Sequence, residues 1–459
     1  MRLQWRGLRL TGLSTRLEGF FLRRVMPRVV VIVLVLHGLI HLLGAAKGFG
    51  WANVSVLKGP IGPALGAAWL AAGTLIVAAA VLLAARIRWW WAVGAVAVLA
   101  SQSVIFTSWS DAKVGTVANV ILLAAAVYGY AAQGPRSYRA EYRRRVDTAL
   151  SASLPDGVVS EADLATLPQA VAAYVRRSGA IGQPRTLNFR ARIHGRTRSG
   201  ADAIWMTFTG EQVNAYGPDP SRLFIMDATL FGLPFDVLHA CLGPTATMRV
   251  KACSLVPMVN AAGPDMDRGE TVTLLNDLCL LAPAALISAP ITWHSIDEDH
   301  LRATFTNGGQ TVTAELTVNQ ERELVDFASD DRLRATRNGK SFIRQRWSTP
   351  VRDYRYVDSR RIFTNGEGRW HAPEPEGEFT YIEFSVDKIV YNVSHARSDE
   401  SAHNSSSQPP VWHPASVLPP QVLIPSNSHA LPQTAGNPHR TPPSQYAVPF
   451  RANAPPSTR

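Results

Sequence analysis

Three groups of residues in this 459-residue chain are of types that could do chemistry. The first is a pair of histidines, His37 and His41, inside the apolar run VVVIVLVLHGLIHLLGAA. Spaced four apart, they project from one face of a helix, where imidazoles could ligate a haem or a metal or bind a quinone. A single helix cannot place both rings on opposite sides of a haem, and interhelical hydrogen bonds to Gln102, Ser101 or Ser103 are the favoured reading of the pair. The second group is acidic: Asp265, Asp267, Glu270 and Asp277, with Asn276 beside them. Such a cluster could serve hydrolysis or hold a cation, but Asp267 and Glu270 are also spaced as the N-cap and capping box of a helix. The third group comprises Glu211, Asp227 and the run 347–354 with Trp347, Arg352, Asp353 and Tyr354. Placed on strands, these could select the head group of a ligand, or pair across strands on a solvated face.

No phosphate-cradling GxxxxGK[ST], nucleophile-elbow GxSxG, HExxH or dinucleotide fingerprint occurs in the sequence, so no catalytic residue, cofactor or metal is assigned. Cys241, Cys253 and Cys279 stand in apolar surroundings without CxxC or zinc-type spacing and are expected as buried thiols. The net charge of +11 sits mostly on two flanks, residues 1–28 with seven arginines against Glu18 and residues 136–145 with five against Glu141. A nucleic-acid binder would spread its basic residues over a folded face, so nucleic acid is not expected as a partner.

Those flanks bracket the elements that must position the histidines. Residues 29–46, 61–85, 89–109 and 116–132 are apolar runs long enough to cross a bilayer as helices. They are joined by short turns carrying Lys47, Arg86, Arg88, Asp111 and Lys113, with Trp89, Trp90 and Trp91 as an aromatic belt. Gly66, Ala67, Ala68, Ala71 and Gly73 would let the second span pack closely. The expected organisation is a basic leader over 1–28, four transmembrane helices within 29–134, a basic linker over 135–166, a soluble β-rich domain over 167–393 and a disordered Pro/Ser-rich tail over 394–459. The first run is read as a span and not as a cleaved signal, because three more spans follow. The positive-inside rule puts the N-terminus and the soluble domain in the cytoplasm, with the chain in the plasma or inner membrane.

In the soluble half, 167–178 reads as a helix with Pro168 in its first turn and Gly179 as its stop. Alternation at Leu187, Phe189, Ala191 and Ile193, and around Trp205, Thr207 and Thr209, predicts strands. The segments 300–306 and 310–318 flank Asn307-Gly308-Gly309, a hairpin signal with Val312, Ala314, Leu316 and Val318 on one face. Further strands are expected over 324–328, 342–347, 361–370 and 381–390. A helix over 268–282, with Val272, Leu275, Leu278, Cys279 and Ala282 as its stripe, would cover the sheet. The fold class is therefore α+β: a four-helix transmembrane bundle and a curved antiparallel half-barrel around a helix, with space for an apolar cavity between sheet and helix.

Five stretches, HGLIHLLGAAKGFG, SQSVIFTSWSDAKVGTVANVILLAA, GPDMDRGETVTLLNDLCLLAPAALI, RATFTNGGQTVTAEL and QRWSTPVRDYR, resemble a family of bacterial membrane-anchored proteins of unknown function. The resemblance runs from about residue 29 to 393. It implies a soluble domain similar to the lipoprotein-carrier (LolA-like) half-barrel, which shields acyl chains outside the cytoplasmic membrane, whereas the charge rule places this domain inside. The expected function is binding of a lipid or lipophilic ligand beside the lipid bilayer. The alternatives are a membrane enzyme, redox through His37 and His41 or hydrolytic through Asp267 and Glu270, and a scaffold or sensor docking through its Pro-rich tail.

Overall fold

The structure, a computed structural model, describes residues 26–150, 157–336 and 341–394. The expectations for the basic leader up to residue 25 and for the tail from residue 395 fall outside the described residues.

Among the described residues four helices are long and apolar enough to cross a membrane: α1 (Met26–Gly48), α2 (Pro63–Ala84), α3 (Trp90–Thr107) and α4 (Gly115–Gln133). Helices α1 and α2 pack through glycine. A Cβ on Gly66 would stand 2.9 Å from Gly48 Cα, and one on Gly44 only 2.3 Å from the Trp69 ring. The packing face of α2 is Gly66, Trp69, Ala72, Gly73 and Ile76, while Ala67, Ala68 and Ala71 point outward. Trp90 likewise leaves the expected aromatic belt and is buried against Gly129 of α4.

Residues 135–166 are more than a linker. After a turn at Gly134–Pro135 the chain forms α5 (Tyr138–Ala149), N-capped by the Ser137 hydroxyl, which accepts from the Ala140 amide at 3.1 Å. Arg143 and Arg144 face outward while Tyr138, Tyr142, Val146 and, just beyond it, Leu150 form a buried stripe. A short 3-10 helix (Glu161–Thr166) and α6 (Gln169–Arg177) follow, the latter stopped by Gly179 at φ 76°.

The strands form one 14-stranded antiparallel sheet. A meander of β1 (Asn188–Thr197), β2 (Met206–Ala215), β3 (Ser221–Leu230), β4 (Leu233–Leu242), β5 (Thr245–Ala252) and β6 (Val256–Ala262) leads into α7 (Pro264–Leu281). The chain then returns through β7 (Ile291–Ser295), β8 (His300–Asn307), β9 (Gln310–Val318) and β10 (Leu324–Ser329). Beyond the small ribbon β11 (Leu333–Ala335) with β12 (Phe342–Arg344) come β13 (Trp347–Ser348) and β14 (Val351–Arg352). A second ribbon, β15 (Arg355–Val357) with β16 (Arg360–Ile362), precedes β17 (Asn365–His371) and β18 (Glu378–Tyr391). Strand β18 pairs with β1, so β6 and β7 are the two edges and α7 is the chain that joins them. The sheet curls until its far turns meet. Asn307 Nδ2 donates to Gly243 O at 2.8 Å, and a Cβ on Gly308 would overlap Pro244 at 1.9 Å.

Helix α7 lies in the concave face and is buried on every side, with Val272, Leu274, Leu275, Leu278, Cys279 and Leu281 all in the core. Helix α5 covers the convex face of β2 to β4, where Val213, Leu223, Ile225, Leu238 and Ala240 meet its stripe. The curved sheet around a helix is thus as expected, but the space between them is filled with side chains. A depression of about 280 Å³ lined by His194, Arg196, Arg352 and Glu383 opens instead to solvent. Cys241 and Cys279 are buried free thiols, and Cys253, in a hairpin turn, is only half-buried.

Candidate functional site

Inward-facing positions of neighbouring strands lie about 5 Å apart, so polar residues at matched register form one group. Gln212 and Asn214 of β2, Arg222 of β3 and His239 of β4 stand in this relation, Arg222 directly opposite Asn214 in the β2–β3 ladder. Facing them, Glu270 and Asp277 of α7 are seven residues apart, two turns along one face. Arg222 Nε donates to Asp277 Oδ2 at 2.6 Å and its Nη1 to Glu270 Oε2 at 3.3 Å. Gln212 Nε2 and Asn214 Nδ2 donate to the same Asp277 oxygen at 2.7 and 3.3 Å. Arg332, just beyond β10, places Nη2 3.2 Å from Glu270 Oε1, with its guanidinium 5.5 Å above the Trp347 ring.

Burial opposes charge on Glu270, but His239, Arg332, Arg222 and the Thr273 hydroxyl outweigh it and hold the carboxyl at about 2. Burial lowers His239 to about 4, with Glu270 pulling it up and the two guanidiniums pushing it down. At neutral pH the imidazole is therefore uncharged, and the two arginines balance the two carboxylates. The balance in hydrogen bonds is incomplete. His239 Nε2, 3.5 Å from Glu270 Oε1, lacks bonding geometry, and Arg332 Nε has no hydrogen-bond partner among the described residues. Unpaired buried polar atoms also occur elsewhere, at Thr186, Gln345 and Thr349 for example, so the feature that sets this cluster apart is its buried ion pairs within an apolar interior.

A carboxylate held at about 2 by two guanidiniums is no general base. Nor is Asp267 free for that role: its Oδ1 accepts from the Ala246 amide at 2.7 Å and ties α7 to β5. The helix begins at Pro264, with Gly263 at φ 102° before it, so Asp267 and Glu270 lie inside the helix and do not form the expected cap and box. Proline at the first helical position supplies the start without them. Other ties hold α7 at both ends. Arg268 Nη2 donates to the buried Asp331 at 2.6 Å, and the Tyr174 and Tyr391 hydroxyls donate to Cys279 O and Leu281 O at 3.0 and 2.8 Å, satisfying carbonyls of the last turns.

The remaining expected site residues lie elsewhere. Glu211 and Asp227 are on the convex face, where the Tyr142 hydroxyl donates to Glu211 at 3.1 Å and Arg139 pairs with Asp227. Arg352 Nη1 donates to Glu367 Oε1 at 2.8 Å at the surface, Asp353 accepts from Asn365 at 2.8 Å, and the Tyr354 hydroxyl donates to Leu324 O at 2.6 Å. These are structural pairs. Of the expected set, Glu270, Asp277 and Trp347 are brought together, Asn276 is buried on another face of α7, and the sequence reading missed Arg222, His239, Arg332, Gln212 and Asn214.

In the bundle, His41 Nδ1 donates to His37 O at 2.9 Å, which makes its Nε2 the acceptor for the Ser101 hydroxyl, also at 2.9 Å. His37 Nε2 donates to Asn119 Oδ1 at 3.0 Å, Asn119 Nδ2 to Gln102 Oε1 at 3.0 Å, and Gln102 Nε2 to Thr116 Oγ1 at 3.2 Å. The interhelical bond to Ser101 is as expected, the link to α4 through Asn119 is additional, and Ser103 bonds Leu99 O within its own helix. Both histidines are thus engaged in a network joining α1, α3 and α4. Among the described residues no group of three or more His, Cys, Asp or Glu side chains could hold a metal ion.

Residues 157–384 match a family of unknown function, DUF6544. No curated protein matches the chain. Among solved structures, one described as an outer membrane lipoprotein-sorting protein domain from Vibrio parahaemolyticus is similar at 9% identity and TM-score 0.28, over 48% of this chain and 91% of that one. A DUF1329 family protein from Desulfovibrio piger is similar at 13% identity and TM-score 0.30, over 51% and 97%.

Proposed function

We propose that this chain, whose strand-rich domain belongs to the DUF6544 family, is a membrane-anchored protein that binds a lipid or similar lipophilic anion on the concave face of its sheet. In this reading α7 is the resident plug of the site. The observation that carries it is the placement of the helix carboxylates Glu270 and Asp277 on Arg222 and Arg332 within an otherwise apolar interior of Phe224, Met226, Phe305, Phe327 and Trp347.

Leaving either arginine buried without an anion would cost about 3–5 kcal/mol, so α7 cannot leave the concave face unaided. A ligand with an anionic head group restores the charge balance as the carboxylates depart, and its acyl chain replaces the apolar contacts of Leu275 and Leu278. Binding energy and helix release are thereby coupled. Helices α1 to α4 hold the domain beside the bilayer, the source of such a ligand. The positive-inside rule favours the plasma or inner membrane with the N-terminus and domain on the cytoplasmic side.

Hydrogen–deuterium exchange of the full chain in zwitterionic nanodiscs, with and without added short-chain phosphatidylglycerol, tests this. The reading predicts faster exchange confined to 264–281 when the anionic lipid is added. Unchanged protection there, at lipid concentrations that saturate the disc, would overturn it.

A further inference from the structure

The end of the domain nearest the helical bundle carries apolar side chains that no described residue covers. The β3–β4 turn presents Phe231 and Leu233, and the β5–β6 turn and edge strand β6 present Leu255, Val256 and Met258, each about half or more exposed. Register places both turns at one end of the sheet, since Leu230 opposes Leu233 and Ala252 opposes both Phe235 and Val256. Phe231 adopts φ 47°, a left-handed conformation that costs a bulky residue about 1–2 kcal/mol and that turns usually assign to Gly, Asn or Asp. A strained, exposed phenylalanine is retained at the tip nonetheless.

The contacts of α4 and α5 fix which way this end faces. Tyr128, in the second-last turn of α4, lies against Asp236 and the Cys253–Ser254 turn. Arg139, at the start of α5, pairs with Asp227, and Tyr142 one turn later reaches Glu211. Val146 and Leu150 then meet Leu223 and Leu238. Progress along α5 away from the span is therefore progress away from the hairpin tips. Since Tyr128 stands five residues, about 7.5 Å, inside the end of α4, the tips lie at the level of its last turns.

We infer that the β3–β4 and β5–β6 hairpin tips and the adjoining edge of β6 insert into the interfacial layer of the same bilayer that holds α4. Basic residues stand on the same side of the domain: Arg88 of the α2–α3 turn lies beside Arg143 of α5, and Lys251, the second-last residue of β5, lies over the Tyr138 ring. The combination of an apolar tip and basic residues on the same side suits the boundary between acyl chains and anionic head groups. The inference rests on α1 to α4 spanning the membrane, but not on the concave face binding a ligand.

The test uses the full chain with Cys253→Ser in vesicles of three parts phosphatidylcholine to one part phosphatidylglycerol. Spin labels are placed singly by Leu255→Cys, Met258→Cys, Val120→Cys on the outer face of α4, and Asp219→Cys in the β2–β3 turn at the opposite end of the sheet. Collision with oxygen, which partitions into lipid, is compared with collision with a water-soluble nickel chelate. We expect the labels at 255 and 258 to follow 120, with oxygen several-fold favoured over nickel, and 219 to show the reverse. Labels at 255 and 258 that behave like 219 while 120 reports lipid would overturn the inference and leave the spans standing. A label at 120 that also reports water would overturn both. Labels at 255 and 258 shielded from both reagents, with dipolar broadening, would assign the patch to a second copy of this chain and likewise overturn it.

Discussion

Arg222 reaches from β3 into the concave face and sets its Nε 2.6 Å from Asp277 Oδ2, an ion pair enclosed on both sides. The pair fastens the concave face of the sheet to the helix that fills it.

Removing one member leaves the other charged and buried. Arg222→Ala is expected to destabilise the domain by about 3–5 kcal/mol. The double variant Arg222→Met with Asp277→Leu should lose much less, because neither charge is then stranded. Denaturant unfolding of the three full-length proteins in detergent checks both, and equal losses in single and double variants would contradict the coupling.

Acid should loosen the cluster in two stages. His239 titrates at about 4 in the folded chain against 6.5 unfolded, so its share of stability is complete above pH 6.5 and is lost as pH falls toward 4. Glu270, at about 2 against 4.5, adds a loss between pH 4.5 and 2. Measured between pH 7 and 4, the slope of stability against pH should be shallower in His239→Gln than in the parent chain. An identical slope would show that the imidazole is not held neutral.

The bundle histidines are expected to act as structural links. Asn119→Leu strands His37 Nε2 and Gln102 Oε1 and should cost about 0.5–2 kcal/mol, the range of interhelical hydrogen bonds in membranes. Thermal unfolding in detergent reads this directly, and a variant as stable as the parent would free the pair for another role.

Helix α5 is predicted to be indispensable to the domain. A chain that begins at residue 150 would expose Val213, Leu223 and Leu238 on the convex face, each worth about 1.5–3 kcal/mol, whereas one that begins at residue 135 keeps them covered. Size-exclusion profiles of the two fragments should show aggregation of the shorter and a monodisperse peak for the longer.

What could be read in advance follows the physics of each segment. The β8–β9 hairpin was legible to within one residue, Asn307 ending the strand instead of opening the turn, since Gly308 and Gly309 supply φ 55° and 84° at the turn and one face alone is buried. Strands β3 and β4 carry no alternation, because α7 covers one face and α5 the other, and nearly every side chain of β3 is buried. That loss hid Arg222 and His239 with them. The spacing of Tyr138, Tyr142, Val146 and Leu150 was available as a helical stripe, yet the surrounding arginines made the segment read as a linker. Glu270 and Asp277 stood out as acids on a predicted helix. Their cationic partners come from strands and from a loop far along the chain, a proximity that only the curled sheet creates.

Whether the concave face takes up a lipid is decided by native mass spectrometry of the full-length protein released from mild detergent, with Arg222→Gln as the comparison. One acyl-chain lipid with an anionic head group per chain is expected, retained by the parent and largely lost from the variant. A bare parent chain, or a lipid held equally by both proteins, would contradict it.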